Sequence, residues 1–164
     1  MQFMIKDAAD LVLTPLVGEG DPITIDYLNT FNMKTESDKL AAKAKGVDKI
    51  IIYGSKTCSF ELGSEVITKE EMAMLLGGEL NGTKITVKDT VSTPYYSVAG
   101  TFTLKYEDGS EEVQTLTAPK VCAQPNADFA MDAGNIGTYT LTMDVLAGAE
   151  GVLFELDKKA TPGV

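Results

Sequence analysis

The side chains that could do chemistry in this chain of 164 residues are few, and histidine, arginine and tryptophan are missing altogether. Without an imidazole there is no Ser-His-Asp triad, no Cys-His dyad and no His-based zinc site. Paired carboxylates remain, at Glu70-Glu71 and Glu111-Glu112. The first pair falls in the opening turn of a helix, where negative charge favours the dipole, and the second follows a hairpin turn. Both read as solvated structural residues, although a carboxylate-based hydrolase would need just such groups brought together in a cleft. Cys58 and Cys122 lie far apart in strand-like segments, without the C-x-x-C spacing of a metal or redox site, and read as reduced core thiols. Gly77-Gly78 with Gly82 lacks the lysine and the spacing of a phosphate loop. The residues therefore predict no catalytic centre, no cofactor and no metal.

Whatever these residues do depends on the elements that carry them, and the most informative stretch runs from Cys58 to Gly78. Cys58, Phe60, Leu62, Ser64 and Val66 alternate with Ser59, Glu61, Gly63 and Glu65, which is the period of a half-buried strand. Thr68 with Glu71 three residues on is a capping box, and Ile67 with Met72 fits a hydrophobic staple, so a helix is predicted over about 68–76. Gly77-Gly78 stops it. Met72, Leu75 and Leu76 share one helical face and are expected to be buried, which leaves Met74 free for a neighbouring subunit.

Composition bounds the rest. A chain of 17.5 kDa with mean hydropathy +0.01 predicts one domain over 1–164 with its own core. No apolar run reaches the ~20 residues of a membrane helix, and MQFMIKDAAD has no secretory h-region, so synthesis in the cytoplasm is expected. All fourteen basic residues are lysines against 24 acidic ones, a net charge of −10. Such a surface argues against specific nucleic-acid binding, which relies on arginine and on neutralising phosphate.

In chain order, residues 1–20 read as an N-terminal arm broken by Pro15, Gly18 and Gly20, and Ile23, Ile25 and Tyr27 alternate as a strand. The charged segment from Thr30 to Lys45 fits either a short solvated helix or an extended hairpin or loop over about 32–47. Ile50-Ile51-Ile52-Tyr53 is a continuous apolar run that suits a strand covered on both faces. Asn81-Gly82 signals a hairpin, and Asp108-Gly109 another, which as a two-residue turn sets Leu104 opposite Val113 and Lys105 opposite Glu112. Ala127, Phe129 and Met131 alternate, Asn135 to Gly137 turns, and Thr138 to Leu146 is the most regular strand in the chain. Residues 158–164 read as a C-terminal tail. Eight or nine short strands with one helix predict a mainly β fold, an antiparallel β-sandwich or small β-barrel with one flanking α-helix.

The succession from ESDKLAAKAKGVDKIIIYGS through CSFELGSEVITKEEMAMLLGG to GTYTLTMDVL resembles the major tail proteins of long-tailed bacteriophages, over roughly Ile23 to Leu156. The resemblance implies a structural tail-tube subunit in a virion, not an enzyme. Its copies would close into rings, hexameric in that family, that stack into a tube through which DNA passes as cargo. It implies tape-measure and tail-end proteins as further partners. It also implies a ring-to-ring contact through Thr35, Glu36, Asp38, Lys39, Leu40, Lys43 and Lys45, together with the N-terminal arm. An acidic wall would keep phosphate from adhering, and Glu61, Glu65, Glu112 and Asp144 on polar strand faces are the expected lumen carboxylates. The alternative is an Ig-like adhesion or carbohydrate-binding module, for which no tryptophan platform is present.

Overall fold

The computed structural model describes residues 2–18, 20–26, 28–91, 93–126, 134 and 137–159. Tyr27, Asn135 and the alternation expected at Ala127, Phe129 and Met131 lie outside them. The described chain runs β1 (Phe3–Pro15), β2 (Ile23–Ile25), β3 (Leu28–Ala44), β4 (Val47–Ser64), helix α1 (Lys69–Leu76), β5 (Glu79–Asn81), β6 (Lys84–Thr86), β7 (Tyr95–Tyr106), β8 (Glu111–Ala123), β9 (Tyr139–Val145) and β10 (Glu155–Lys158). Every pairing is antiparallel. One eight-stranded sheet takes the order β2-β1-β7-β8-β9-β4-β3, with β10 also on β8, and β5-β6 is a separate hairpin. The large sheet curls until β3, at one end of the path, comes beside β1. No ladder joins its two ends among the described residues, so the barrel does not close. The expectation of a mainly β antiparallel fold with one flanking helix holds.

Alternation decides what is inside. Cys58, Phe60 and Leu62 of β4 are buried, as their period predicts, together with Leu141, Met143 and Val145 directly across on β9. Leu11, Leu13, Val98, Leu116, Ala118 and Val121 continue the same inner face. Phe60 is wholly enclosed and meets the Phe31 ring at 5.5 Å and the Phe154 ring edge-on at 6.4 Å. Tilted and edge-on contacts of this kind add ~1 kcal/mol to what burial alone supplies.

The helix begins where the capping box places it. Thr68 Oγ1 accepts from the Glu71 N–H at 3.2 Å, and Glu71 Oε2 accepts from the Thr68 N–H at 3.3 Å. Gly78 N–H then closes on the Ala73 carbonyl at 2.8 Å. Burial of α1 differs from the expected Met72, Leu75 and Leu76 stripe: Glu71, Ala73, Met74 and Leu75 are buried, while Met72 and Leu76 are half-buried. The helix is wedged between two neighbours. Glu71 and Leu75 face Leu62 and Leu141 at the end of the sheet, and Ala73 and Met74 face Leu80 and Tyr96. Contact on two sides widens the buried arc beyond a single 3.6-period stripe.

Three further expectations change. Residues 3–15, read as an arm, run in the sheet along β7 from Phe3↔Tyr106 to Pro15↔Tyr96. The segment 30–44 is strand and Lys45 opens the turn, which excludes the short helix and leaves the extended hairpin. The β7-β8 turn spans three residues, since Tyr106 N–H bonds the Ser110 carbonyl, and Gly109 takes φ 85°. That left-handed residue needs glycine, and the extra loop position shifts the register by one. Leu104 therefore faces Glu112, and Lys105 faces Glu111. Of the expected C-terminal tail, Lys158 ends β10 and residues 160–164 lie outside the described part.

Candidate functional site

β3 and β4 are the two longest strands, of 17 and 18 residues, and together they outrun the sheet. β9 accompanies β4 only from Ser64 to Cys58, where the last rung is Cys58↔Val145. Beyond it the two strands continue alone to the turn at Lys45-Gly46, a free ribbon of roughly 35 Å at ~3.3 Å per residue. Lys45 and Gly46 have φ of 54° and 78°, the pair of left-handed residues that a two-residue turn uses to match strand twist.

The ribbon has a polar stalk and an apolar tip. Glu36, Asp38, Lys56 and Thr57 are exposed along the stalk and Lys34 and Thr35 at its root, with Lys34 Nζ 2.7 Å from Glu36 Oε1. At the tip the pairs are Leu40↔Ile52, Ala41↔Ile51 and Ala42↔Ile50, with Tyr53 across from Lys39. Residues paired across a ladder share a face, so Leu40, Ile50 and Ile52 stand on one side, and Ile51 and Tyr53 on the other. Leu40, Ile50, Ile52 and Tyr53 are each more than 60% exposed, and Ile51 is 45% exposed. Lys39 Nζ bonds Asp48 Oδ2 at 3.2 Å on the Ile51 side. A two-stranded ribbon is marginal in water, and five large apolar side chains exposed together mark a surface that a partner covers.

The residues expected at the ring contact, Glu36, Asp38, Lys39, Leu40, Lys43 and Lys45, lie on this ribbon, with Thr35 at its root, and all are exposed. The residues that dominate its surface are different. Ile50 to Tyr53 read as a doubly covered strand, and in the folded chain neither face is covered. Their signal was present in the run itself: four large apolar residues that require cover, in a charged segment that supplies none. Met74, expected free for a neighbour, is 7% exposed and belongs to the core against Tyr96.

The expected lumen carboxylates do not form one group. Glu61 and Asp144 do share the outer face: Glu61 pairs with Thr142, and Asp144 with Ser59, so they are diagonal neighbours on adjacent strands. Asp144 Oδ1 accepts from Gln124 Nε2 at 2.8 Å. Glu65 lies just past the end of β4. Glu112 is the misplaced one. The three-residue turn puts it on the face of Leu104 and Leu116, where it meets Lys158 Nζ at 3.1 Å and accepts from Gln114.

The remaining reactive groups serve the fold. Burial pushes both thiols above their ordinary value, with Asp144 adding to the effect at Cys122; Cys58 lies in the core as expected, whereas Cys122 is half-buried on the outer face across from Asp144. Burial likewise raises Glu71, and the Thr68 hydrogen bonds oppose it. Among the described residues no three His, Cys, Asp or Glu side chains gather as a metal site.

No protein-family model matches the chain, and no curated protein matches it. Among solved structures, a chain of the six-fold symmetrised cryo-EM structure of the anti-feeding prophage baseplate aligns over 98% of this chain and 95% of its own, at 14% identity and a TM-score of 0.48. Likeness at that level assigns no function.

Proposed function

We infer that the chain is a self-assembling structural subunit of a phage-tail-like tube, in which copies close into rings, six per ring, and rings stack through the β3-β4 ribbon. The observation that carries this is the ribbon's apolar tip, uncovered on both faces in the single chain. Burying one isoleucine is worth ~1.5–3 kcal/mol, so a tip with three of them and Leu40 supplies strong drive for association. The free long edge of β3 offers backbone donors and acceptors to a neighbouring strand. Glu61 and Asp144, with Ser59, Thr140 and Thr142 beside them and Lys34 across from Ser59, are the carboxylates that suit a wall past which DNA slides without binding. In this reading the chain is not an enzyme, resides in the tail of a particle, and meets tape-measure and tail-end proteins at the ends of the tube.

The test is negative-stain microscopy of the purified protein, where rings or tubes are expected. Replacing residues 37–56 by a short turn should leave the body folded, by circular dichroism, and abolish stacking. Tubes of wild-type length from that variant would sink the assignment of the ribbon.

A further inference from the structure

The two ends of β4 differ in chemistry. At one end, residues 39–53 carry four lysines and a single aspartate, +3 in a chain whose remainder is −13. At the other end, just past Ser64, sit α1 and the β5-β6 hairpin, where the exposed carboxylates Asp26, Glu65, Glu70, Glu79 and Asp89 outnumber the exposed lysines Lys69, Lys84 and Lys88. Between α1, β5 and the start of β7 a cleft of about 180 Å³ opens, lined by Ile23, Met74, Leu80, Pro94 and Tyr96, with Glu70 beside them. A space of that size takes one or two aliphatic side chains, since a cavity of ~150 Å³ accepts benzene.

We propose that this cleft is the socket for the ribbon tip of a second copy, with Ile52 and one neighbour of the Leu40-Ile50-Ile52 face entering it and the tip lysines Lys43, Lys45 and Lys49 meeting Glu70 and its acidic neighbours. The proposal rests on the reading of the chain as a self-associating subunit and names the surface that receives the tip. A chain cannot seat its own tip, because the 18 residues of β4 hold the two ends roughly 55 Å apart. Apolar surface and opposite charge are matched between the ends, and each copy carries both halves of the contact. The contact is therefore heterologous: each bound pair leaves one tip and one socket free, and association continues in one direction. A tip rich in lysine is repelled by other tips, which disfavours the symmetric tip-to-tip dimer that its isoleucines alone would allow.

Two full-length variants separate the halves: Ile52→Asp disables the tip, and Glu70→Lys with Pro94→Arg, both exposed positions, disables the socket. Each alone should stop at unstacked rings. Assembled separately and then mixed in equal amounts, they should pair ring on ring and go no further, because one kind of ring carries no working tip and the other no working socket. Should the double variant lose its circular dichroism, Glu70→Gln replaces it, and wild-type association is expected to weaken ~tenfold at low salt; no change would overturn the socket. A socket variant that stacks like the wild type, or a mixture whose rings never pair, overturns the proposal while leaving the ribbon as an assembly element. A wild-type chain that stays monomeric at high concentration overturns the self-association itself. If that monomer floats with anionic phosphatidylserine vesicles and Ile52→Asp does not, the tip's occupant is a lipid surface and the socket is wrong.

Discussion

Glu71 is both a helix cap and a buried acid, and the two roles oppose each other. Its carboxylate completes the capping box with Thr68, yet it is 7% exposed beside Leu75 and Leu141. Burial raises its pKa, with the Thr68 hydrogen bonds working the other way and Asp26 and Glu70 adding repulsion. An acid raised on folding stabilises the fold fully below its unfolded pKa, and that stability is lost as pH climbs through the folded value. Glu71→Gln keeps an acceptor for the cap and removes the charge. Thermal melts should therefore show the variant equal to or above the wild type at pH 7, by under ~1 kcal/mol or ~2–4 °C, with the gap closing toward pH 4. A variant that is less stable at pH 7 would mean that the charged hydrogen bond outweighs desolvation. Phe60 is the opposite kind of residue, without polarity and without exposure. Phe60→Ala should cost ~3–5 kcal/mol in urea unfolding, a large share of a total of ~5–15, because the Phe31 and Phe154 rings cannot both move into its place.

At the scale of elements, the ribbon and the sheet are one pair of strands with two different fates. From Cys58 to Ser64, β4 lies between β3 and β9 and presents its inner side to the core. From Val47 to Thr57 it has β3 alone, and every residue is exposed. Native-state hydrogen exchange should show this directly. In the monomer, amides of 39–53 are expected to exchange near the rate of local opening, those of 58–63 only on global unfolding. On assembly the tip amides should slow by at least ~tenfold; tip amides equally protected in monomer and assembly would show that the ribbon needs no partner.

For the whole molecule the distribution of charge matters more than its sum. A basic tip on an acidic body makes head-to-tail association sensitive to salt, since the Debye length falls from ~10 Å at 0.1 M to ~3 Å at 1 M. Sedimentation between 0.05 and 0.5 M NaCl should show association weakening as salt rises, roughly in proportion to the charged pairs formed. Strengthening with salt would mean that apolar burial alone drives it. The same acidity predicts that the protein leaves the gel mobility of duplex DNA unchanged at ~0.1 M salt, even at micromolar concentration. Retarded DNA would contradict a repelling wall.

Much was legible without coordinates where a local rule acts alone. The period-2 alternation of Cys58, Phe60 and Leu62 follows from strand geometry, and the Thr68-Glu71 box from the orphan N–H groups of a helix start. Neither needs a distant partner to be recognised. The register of β7 on β8 was not legible, because one loop residue more or less changes which residues face each other, and only the Tyr106-Ser110 bond reveals the count. Met74 and Glu112 moved for the same kind of reason: the wedge between two neighbours and the slipped register are properties of the packed chain. The apolar run Ile50-Ile51-Ile52-Tyr53 was visible as a strand needing cover on both faces. That its own chain provides no such cover was decided by tertiary structure alone, since β9 stops at Val145 and nothing described lies alongside the ribbon beyond it.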